Sequence, residues 1–187
     1  MMQHQGTKYL ETDRLILRPY TVEDAQAMYD HWAKDPDVTK YLTWPPHESA
    51  EATRMLLENW TANYEQPDYY QWAIELKEIG SPIGGISVVE CREIVDEAVI
   101  GYCLGKNWWG KGLMPEAAKA VVSFLFEEVG CNRISATHDT NNPNSGRVMQ
   151  KIGMQYEGTH RKSGKNNQGI VDEAVYAILR EDYFSVK

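Results

Sequence analysis

The residues Gly105-Lys106-Asn107-Trp108-Trp109-Gly110-Lys111-Gly112 lie between an alternating apolar run that ends at Leu104 and a helix-like run that opens near Pro115. Strand, glycine loop and helix N-terminus make a recipe for holding phosphate. Unpaired amides point outward at such a helix start, and the helix dipole adds partial positive charge. Glycine lets the backbone approach an anion with no Cβ in the way. Several kinds of phosphate site share this recipe, so the details decide. A nucleotide triphosphate loop needs GxxxxGK followed by Ser or Thr. Here GxxxxGK is followed by Gly112, and the hydroxyl that would hold magnesium is missing. A dinucleotide loop needs GxGxxG or GxGxxA, with an acid at a strand end about 20 residues later. The run from Gly110 reaches Pro115 in place of that last small residue, and the region where the acid should stand reads as helix.

A second segment bears on the choice. Asn142-Pro143-Asn144-Ser145-Gly146-Arg147-Val148-Met149-Gln150-Lys151-Ile152-Gly153-Met154 follows about 30 residues downstream. Taken alone, Asn142 is a helix N-cap and Ser145 a residue of the first turn. Taken with the glycine loop, the pattern resembles the GNAT acetyltransferase superfamily. Asn107 to Gly112 is similar to its Q/R-x-x-G-x-G/A motif, with Asn107 departing from the usual Gln or Arg. The second segment is similar to its N-x-x-S-x-x-V-x-x-K-x-G-F pattern, with Met154 replacing Phe. Gly101-Tyr102-Cys103-Leu104, Trp109 to Gly112, Glu116-Ala117 and the opening Arg14-Leu15-Ile16-Leu17-Arg18 look like the RimJ/RimL-type branch. The resemblance runs from about residue 12 to residue 183.

The resemblance implies an acetyl-CoA-dependent enzyme that acetylates a primary amine by direct attack, with a protein N-terminal α-amine as the first acceptor class. A small-molecule amine or antibiotic acetyltransferase, and a catalytically idle acyl-CoA-binding module, are the alternatives. It implies that Trp109, Gly110, Lys111, Gly112, Leu113 and Met114 cradle the pyrophosphate. Tyr102, Cys103 and Leu104 would offer strand backbone to the pantetheine arm, with Asn142 and Ser145 alongside. A main-chain amide near Tyr102 or Cys103 would stabilise the oxyanion. A departing thiolate, with a pKa near 8.5 on the cysteine scale, is helped by a nearby hydroxyl. Many members supply a Tyr from the second motif, but Met149 stands there, so Ser145 is the candidate acid. Strand alternation puts Glu97 on the face of Val99, where members often carry a Glu, and makes Glu97 the candidate base. Tyr41, Trp44 and His47, around Pro45-Pro46, and Trp72 are candidates for the acceptor side, since aromatic rings hold cations and apolar peptide surface.

These residues need a scaffold. Residues 14–18 read as a strand ended by Pro19, followed by a helix over 22–33 with Thr21 and Asp24 as a near capping box. Short and long helices are expected over 38–42 and 48–64. Strands are expected over 69–77, 83–90 and 98–104, a helix over 115–129 closed by Gly130, and a strand over 133–137. A helix follows from Asn142 to about Ile152, and 154–160 and 171–179 form a final antiparallel pair. The polar stretch 163–169 between them reads as a mobile loop. The expected fold is α/β: a single GNAT domain with a mixed, mostly antiparallel sheet of about seven strands. Its central strands are splayed and helices flank it. Residues 1–10 read as a flexible tail and 11–187 as the domain.

Bulk properties agree. The 187 residues are 42% hydrophobic and 25% charged, an ordinary globular mix for one domain. The net charge of −8 disfavours nucleic acid. No apolar run approaches the roughly 20 residues of a membrane helix, and no signal core precedes residue 10, so a cytoplasmic protein without membrane partners is expected. Cys91, Cys103 and Cys131 are odd in number and widely spaced, which argues for reduced thiols. His138 and His160 lack ligand-spaced partners, so no metal is expected. Many members of the resembled branch dimerise, which leaves a homodimer open.

Overall fold

The computed structural model describes residues 1–185. The chain begins with β1 (Leu10–Glu11) and β2 (Leu15–Pro19). In β2, Leu15 and Leu17 are wholly buried, as the alternation requires. The expected helix over 22–33 forms as one continuous coil of changing pitch: a tight turn (Val22–Asp24), α1 (Ala25–Met28) and a wide turn (Tyr29–Ala33). The Thr21 amide donates to Asp24 Oδ2 at 2.8 Å, closing the expected cap. Next come α2 (Pro36–Thr39) and α3 (Ala50–Ala62), with the Ser49 hydroxyl accepting from the Ala52 amide. The strands β3 (Gln71–Leu76), β4 (Ser81–Arg92) and β5 (Glu97–Leu104) form a meander. After it come α4 (Leu113–Phe124), β6 (Arg133–Asp139) and α5 (Pro143–Lys151). The hairpin of β7 (Gln155–Asn166) and β8 (Gly169–Leu179) leads into α6 (Arg180–Ser185).

Among the described residues one open sheet of eight strands results, in the order β1-β2-β3-β4-β5-β6-β8-β7. Every neighbouring pair is antiparallel except β5 and β6. The count exceeds the expected seven through the two-residue β1. That parallel pair is brief: Glu97, Ala98 and Val99 meet Arg133, Ile134 and Ser135, and no register continues beyond. From Ala136 to Asp139, β6 keeps only β8 as its partner. The two central strands are therefore splayed. The buried face of α4 (Ala117, Ala118, Val121, Val122) packs into the larger core with the sheet residues Leu17, Trp72, Ile74 and Ile134. A smaller core under α1 and α3 gathers Met28, Trp32, Leu57 and Tyr20.

Two expectations change. The polar stretch 163–169 is strand on both sides of a two-residue turn, paired Gly164 to Val171 and Asn166 to Gly169. Its tip is tied down: the Asn167 side-chain amide donates to the carbonyls of Thr39 at 2.8 Å and Trp44 at 2.7 Å. The N-terminal residues, expected as a loose tail, are docked. Met2 is buried, the Gln3 amide donates to Val129 O, and Trp72 Nε1 donates to Lys8 O. The apolar Met2 and a set of backbone donors give the segment a place to bind that composition does not reveal.

Candidate active site

The glycine loop leaves β5, makes one tight turn (Lys106–Trp108) and enters α4 at Gly112. Gly110 and Gly112 have φ of +74° and +76°, a region that disfavours any side chain. A Cβ at Gly110 would meet nothing within 4 Å, so the loop's outer surface is open. Among the described residues, the amides of Gly110, Lys111, Gly112, Leu113 and Met114 donate to no protein acceptor. Pro115, at the third helical position, has no amide to leave unpaired. The group fits a diphosphate: a row of open amides on a helix start, with an exposed Lys111 beside it. The side chains of Leu104, Leu113 and Met114 are in the core; only their backbone can serve a ligand. Trp109 is 44% exposed, with its indole N–H held by Leu104 O at 2.7 Å.

The loop's shape is fixed from below by the turn between β1 and β2. Arg14 donates from Nη1 to Lys111 O at 3.0 Å and from Nε to Glu116 Oε2 at 2.7 Å. The Thr12 hydroxyl donates to Glu116 Oε1 at 2.6 Å. Burial pushes the Glu116 carboxyl up, but Thr12 and the amide and guanidinium of Arg14 outweigh it and hold it below the usual range. The substitution Arg14→Ala is expected to weaken coenzyme A binding about three- to tenfold. That is about the net worth of one ordinary hydrogen bond, such as the one from Arg14 to Lys111 O, lost from the order of the loop. Isothermal titration with coenzyme A checks it; unchanged affinity would show that the loop holds its shape alone.

Where β5 leaves β6, the gap opens onto a cavity of about 310 Å³. Its wall includes Gly101, Tyr102 and Cys103 of β5, His138 and Asp139 of β6, and Asn142 and Ser145 at the start of α5. The expected site residues of the two motifs thus meet. Tyr102 and Ser145 touch directly: the Tyr102 hydroxyl donates to Ser145 O at 2.9 Å, and Ser145 Oγ donates to the Tyr102 hydroxyl at 3.2 Å. Burial raises the Tyr102 phenol well above its ordinary value, so it stays protonated. Burial likewise pushes the Cys103 thiol up to about 12, which keeps it neutral. The sequence reading took Tyr102 for its backbone and passed over its hydroxyl.

Of the expected acceptor residues, Tyr41 and Trp44 line the cavity. His47 stands behind Trp44, ring centroids 5.1 Å apart, with Nδ1 on the Thr53 hydroxyl. Burial lowers its pKa. Trp72 is a correction: it is 0% exposed, packed edge-on to Phe124 at 5.9 Å, and belongs to the core.

Glu97 is the other correction. It sits at the closed end of β5, among neither the cavity's wall residues nor its neighbours. It is 4% exposed and accepts from the Ser135 hydroxyl at 2.6 Å, Arg133 Nε at 2.9 Å and Arg92 Nη1 at 3.2 Å. Burial pushes this carboxyl up, but Ser135, Arg133 and Arg92 prevail and hold it below the usual range. A carboxylate so engaged is a poor base. Carboxylates that the sequence reading missed do reach the cavity. Asp139 is engaged by Asn141 on one oxygen and by Asn166 on the other. Glu173, half-buried on β8, accepts from Ser163 at 2.7 Å and only weakly from Thr137 at 3.3 Å. It holds the cavity's less occupied carboxylate oxygen.

Comparison with known proteins agrees with this geometry. The acetyltransferase (GNAT) domain model matches residues 14–155. The chain is 34% identical to the uncharacterised N-acetyltransferase YoaA of Bacillus subtilis (strain 168) over 171 residues, 91% of this chain and 96% of that one. It is 27% identical to the [ribosomal protein uS5]-alanine N-acetyltransferase of Escherichia coli (strain K12), covering 80% and 79% of the two chains. A crystal structure of a GNAT-family acetyltransferase from Bacillus anthracis superposes with a TM-score of 0.82 at 29% identity, covering 93% and 99%. Among the described residues, no helix is long and apolar enough to cross a membrane. A splayed β5–β6 pair, an open glycine loop at α4 and the Asn142 segment, matched over three quarters of its length by one domain model, make this chain a member of the GNAT acetyltransferase family and an N-acetyltransferase of RimJ/RimL-like type.

Proposed function

We propose that the protein moves the acetyl group of acetyl-CoA to a primary amine, with a protein N-terminal α-amine as its preferred acceptor. The observation that carries this reading is the β5–β6 gap opening on a cavity where the Tyr102 and Ser145 hydroxyls meet. The diphosphate would lie on the amides of residues 110–114. The pantetheine arm would follow the open edge of Tyr102, Cys103 and Leu104, with Asn142 facing it from α5. The thioester carbon would then reach the cavity with a β5 amide near its oxygen.

The amine must attack in its neutral form. At pH 7.5 an α-amine with a pKa near 7.8 is roughly 30% neutral, and a lysine near 10.4 about 0.1%. A site whose one loosely held carboxylate is Glu173 needs little base strength to use the former. The relative named [ribosomal protein uS5]-alanine N-acetyltransferase acts, by that name, on an alanine of a ribosomal protein; alanine's only amine is its α-amine, which supports the same acceptor, and a ribosomal acceptor would go with a cytoplasmic setting. The tie of Asn167 to Thr39 and Trp44 holds the β7–β8 hairpin, whose Lys165 and Asn166 line the cavity, against Trp44 on its wall, and favours, as a second reading, a slim small-molecule amine.

Acceptor profiling separates the two. Coenzyme A release is measured with peptides of varied first residue, Nα-blocked lysine peptides, polyamines and aminoglycosides. Free α-amine peptides are expected to react fastest. A preference for lysine side chains would overturn the α-amine reading, and turnover confined to small amines would establish the second. The substitution Glu173→Gln is expected to raise the KM of the amine about ten- to hundredfold at saturating acetyl-CoA. That is the worth of one charge-assisted contact to an ammonium. An unchanged KM would remove Glu173 from the acceptor path.

A further inference from the structure

The docked N-terminal segment brings together three groups that the sequence keeps far apart. A ring nitrogen of His4, the thiol of Cys91 and a carboxylate oxygen of Glu93 all lie within 4.8 Å of one another. We propose that these three side chains form a binding site for a zinc-class divalent cation, on the outer end of β4 and away from the acetyl-transfer cavity.

The donor set suits such an ion. Imidazole, thiolate and carboxylate are the three ligand types zinc takes, and together they exclude calcium and magnesium, which demand oxygen alone. Three protein ligands plus one water complete a tetrahedron. The supporting contacts also fit. His4 Nε2 lies 2.8 Å from Glu93 Oε1, and Nδ1 lies 3.0 Å from the hydroxyl of Tyr70, which also accepts the Gln5 amide at 3.2 Å. A ligating histidine needs a partner on its other nitrogen to fix its tautomer and orientation, and Tyr70, ring-stacked on Trp72, is such a partner. The segment bearing His4 is held independently of the site, by Met2 N–H on Asp96 and Gln3 N–H on Val129. On binding, the cation replaces the proton between His4 and Glu93. That proton is taken up at Nδ1, where the Tyr70 oxygen accepts it in a hydrogen bond. The Cys91 thiol gives its proton to solvent, so one proton is released per cation. In this arrangement the cation staples the N-terminal segment to β4.

The test uses tag-free protein and cobalt(II) as the spectroscopic probe. One equivalent of cobalt is expected to produce a thiolate-to-cobalt charge-transfer band, and zinc to abolish it by displacement. Cys91→Ser should remove the band, and His4→Ala should weaken cobalt binding at least tenfold. Cys131→Ser should keep the band, since Cys131 is not among the three donors. Zinc at about one hundred times its Kd should raise the Tm of the wild type by roughly 5–10 °C and leave that of Cys91→Ser where it was. Circular dichroism and coenzyme A binding verify that each variant is folded. The proposal is overturned if folded wild type gives no thiolate band, or if the band survives in Cys91→Ser.

Discussion

Replacing Tyr102 with Phe and Ser145 with Ala together should lower kcat about 10²-fold while the Kd of coenzyme A stays within about threefold. The two hydroxyls form one unit, bonded to each other at 3.2 Å and anchored by the Tyr102 hydroxyl on Ser145 O at 2.9 Å. They stand where β5 parts from β6, beside the strand edge proposed to hold the thioester arm. The departing thiolate is a weak base, so it asks little of its proton donor. That places the expected loss at the low end of the range for general acid catalysis, about 10²–10⁴-fold. Each single variant keeps one hydroxyl able to reach the sulfur, so each should lose only about two- to threefold, and the loss in the double variant should exceed the product of the two. Burial keeps the Tyr102 phenol protonated well past neutral pH, so the rate should not fall on the alkaline side through its ionisation. Steady-state kinetics with a free α-amine peptide, and titration with coenzyme A, give both numbers. Wild-type turnover in the double variant would end the role of this pair.

What the sequence discloses divides along a physical line. The glycine loop is readable because Gly110 and Gly112 occupy backbone conformations that other residues avoid, and that need is met locally. The start of α5 is readable for a similar reason: Pro143 stands at the first helical position, where its fixed φ suits the helix and its missing N–H costs nothing. The failures all concern partners that arrive from elsewhere in the chain. Strand alternation correctly places Glu97 on β5, yet Ser135 and Arg133 come from β6 and Arg92 from the end of β4. Only the fold reveals that the carboxylate is already taken. Trp72 looks like an acceptor platform until Phe124 and Tyr70 close around it. The stretch 163–169 has a loop's composition, but Asn167 spends its polarity on carbonyls of Thr39 and Trp44, more than 120 residues away. Glu173 leaves no local signal; its importance comes from β8 running beside β6 at the mouth of the gap. Local backbone demands are written in the sequence, and the occupancy of a side chain's hydrogen bonds is not.

Glu97 turns that distinction into a measurement. Glu97→Ala is expected to cost about 2–4 kcal/mol of stability, because it strands a buried Ser135 hydroxyl and strips Arg133 of its inner carboxylate. For a chain of this length that lowers Tm by roughly 5–15 °C. Arg133 keeps Glu157 and Arg92 keeps Glu90, which holds the loss below that of a fully isolated buried charge. The folded-state carboxyl is depressed, so its contribution is fully present above the unfolded value of about 4.3. It is lost as pH falls through the lower folded value. The gap in Tm between wild type and variant should therefore be constant from about pH 6 to 8 and shrink in stronger acid. At 25 °C, folded Glu97→Ala should turn over within about twofold of wild type, since the residue stands outside the cavity. A catalytic base at this position would instead give near-wild-type melting with a large loss of kcat. Thermal denaturation across pH, paired with steady-state kinetics, therefore distinguishes a carboxylate that holds β5 against β6 from one that takes a proton from the amine.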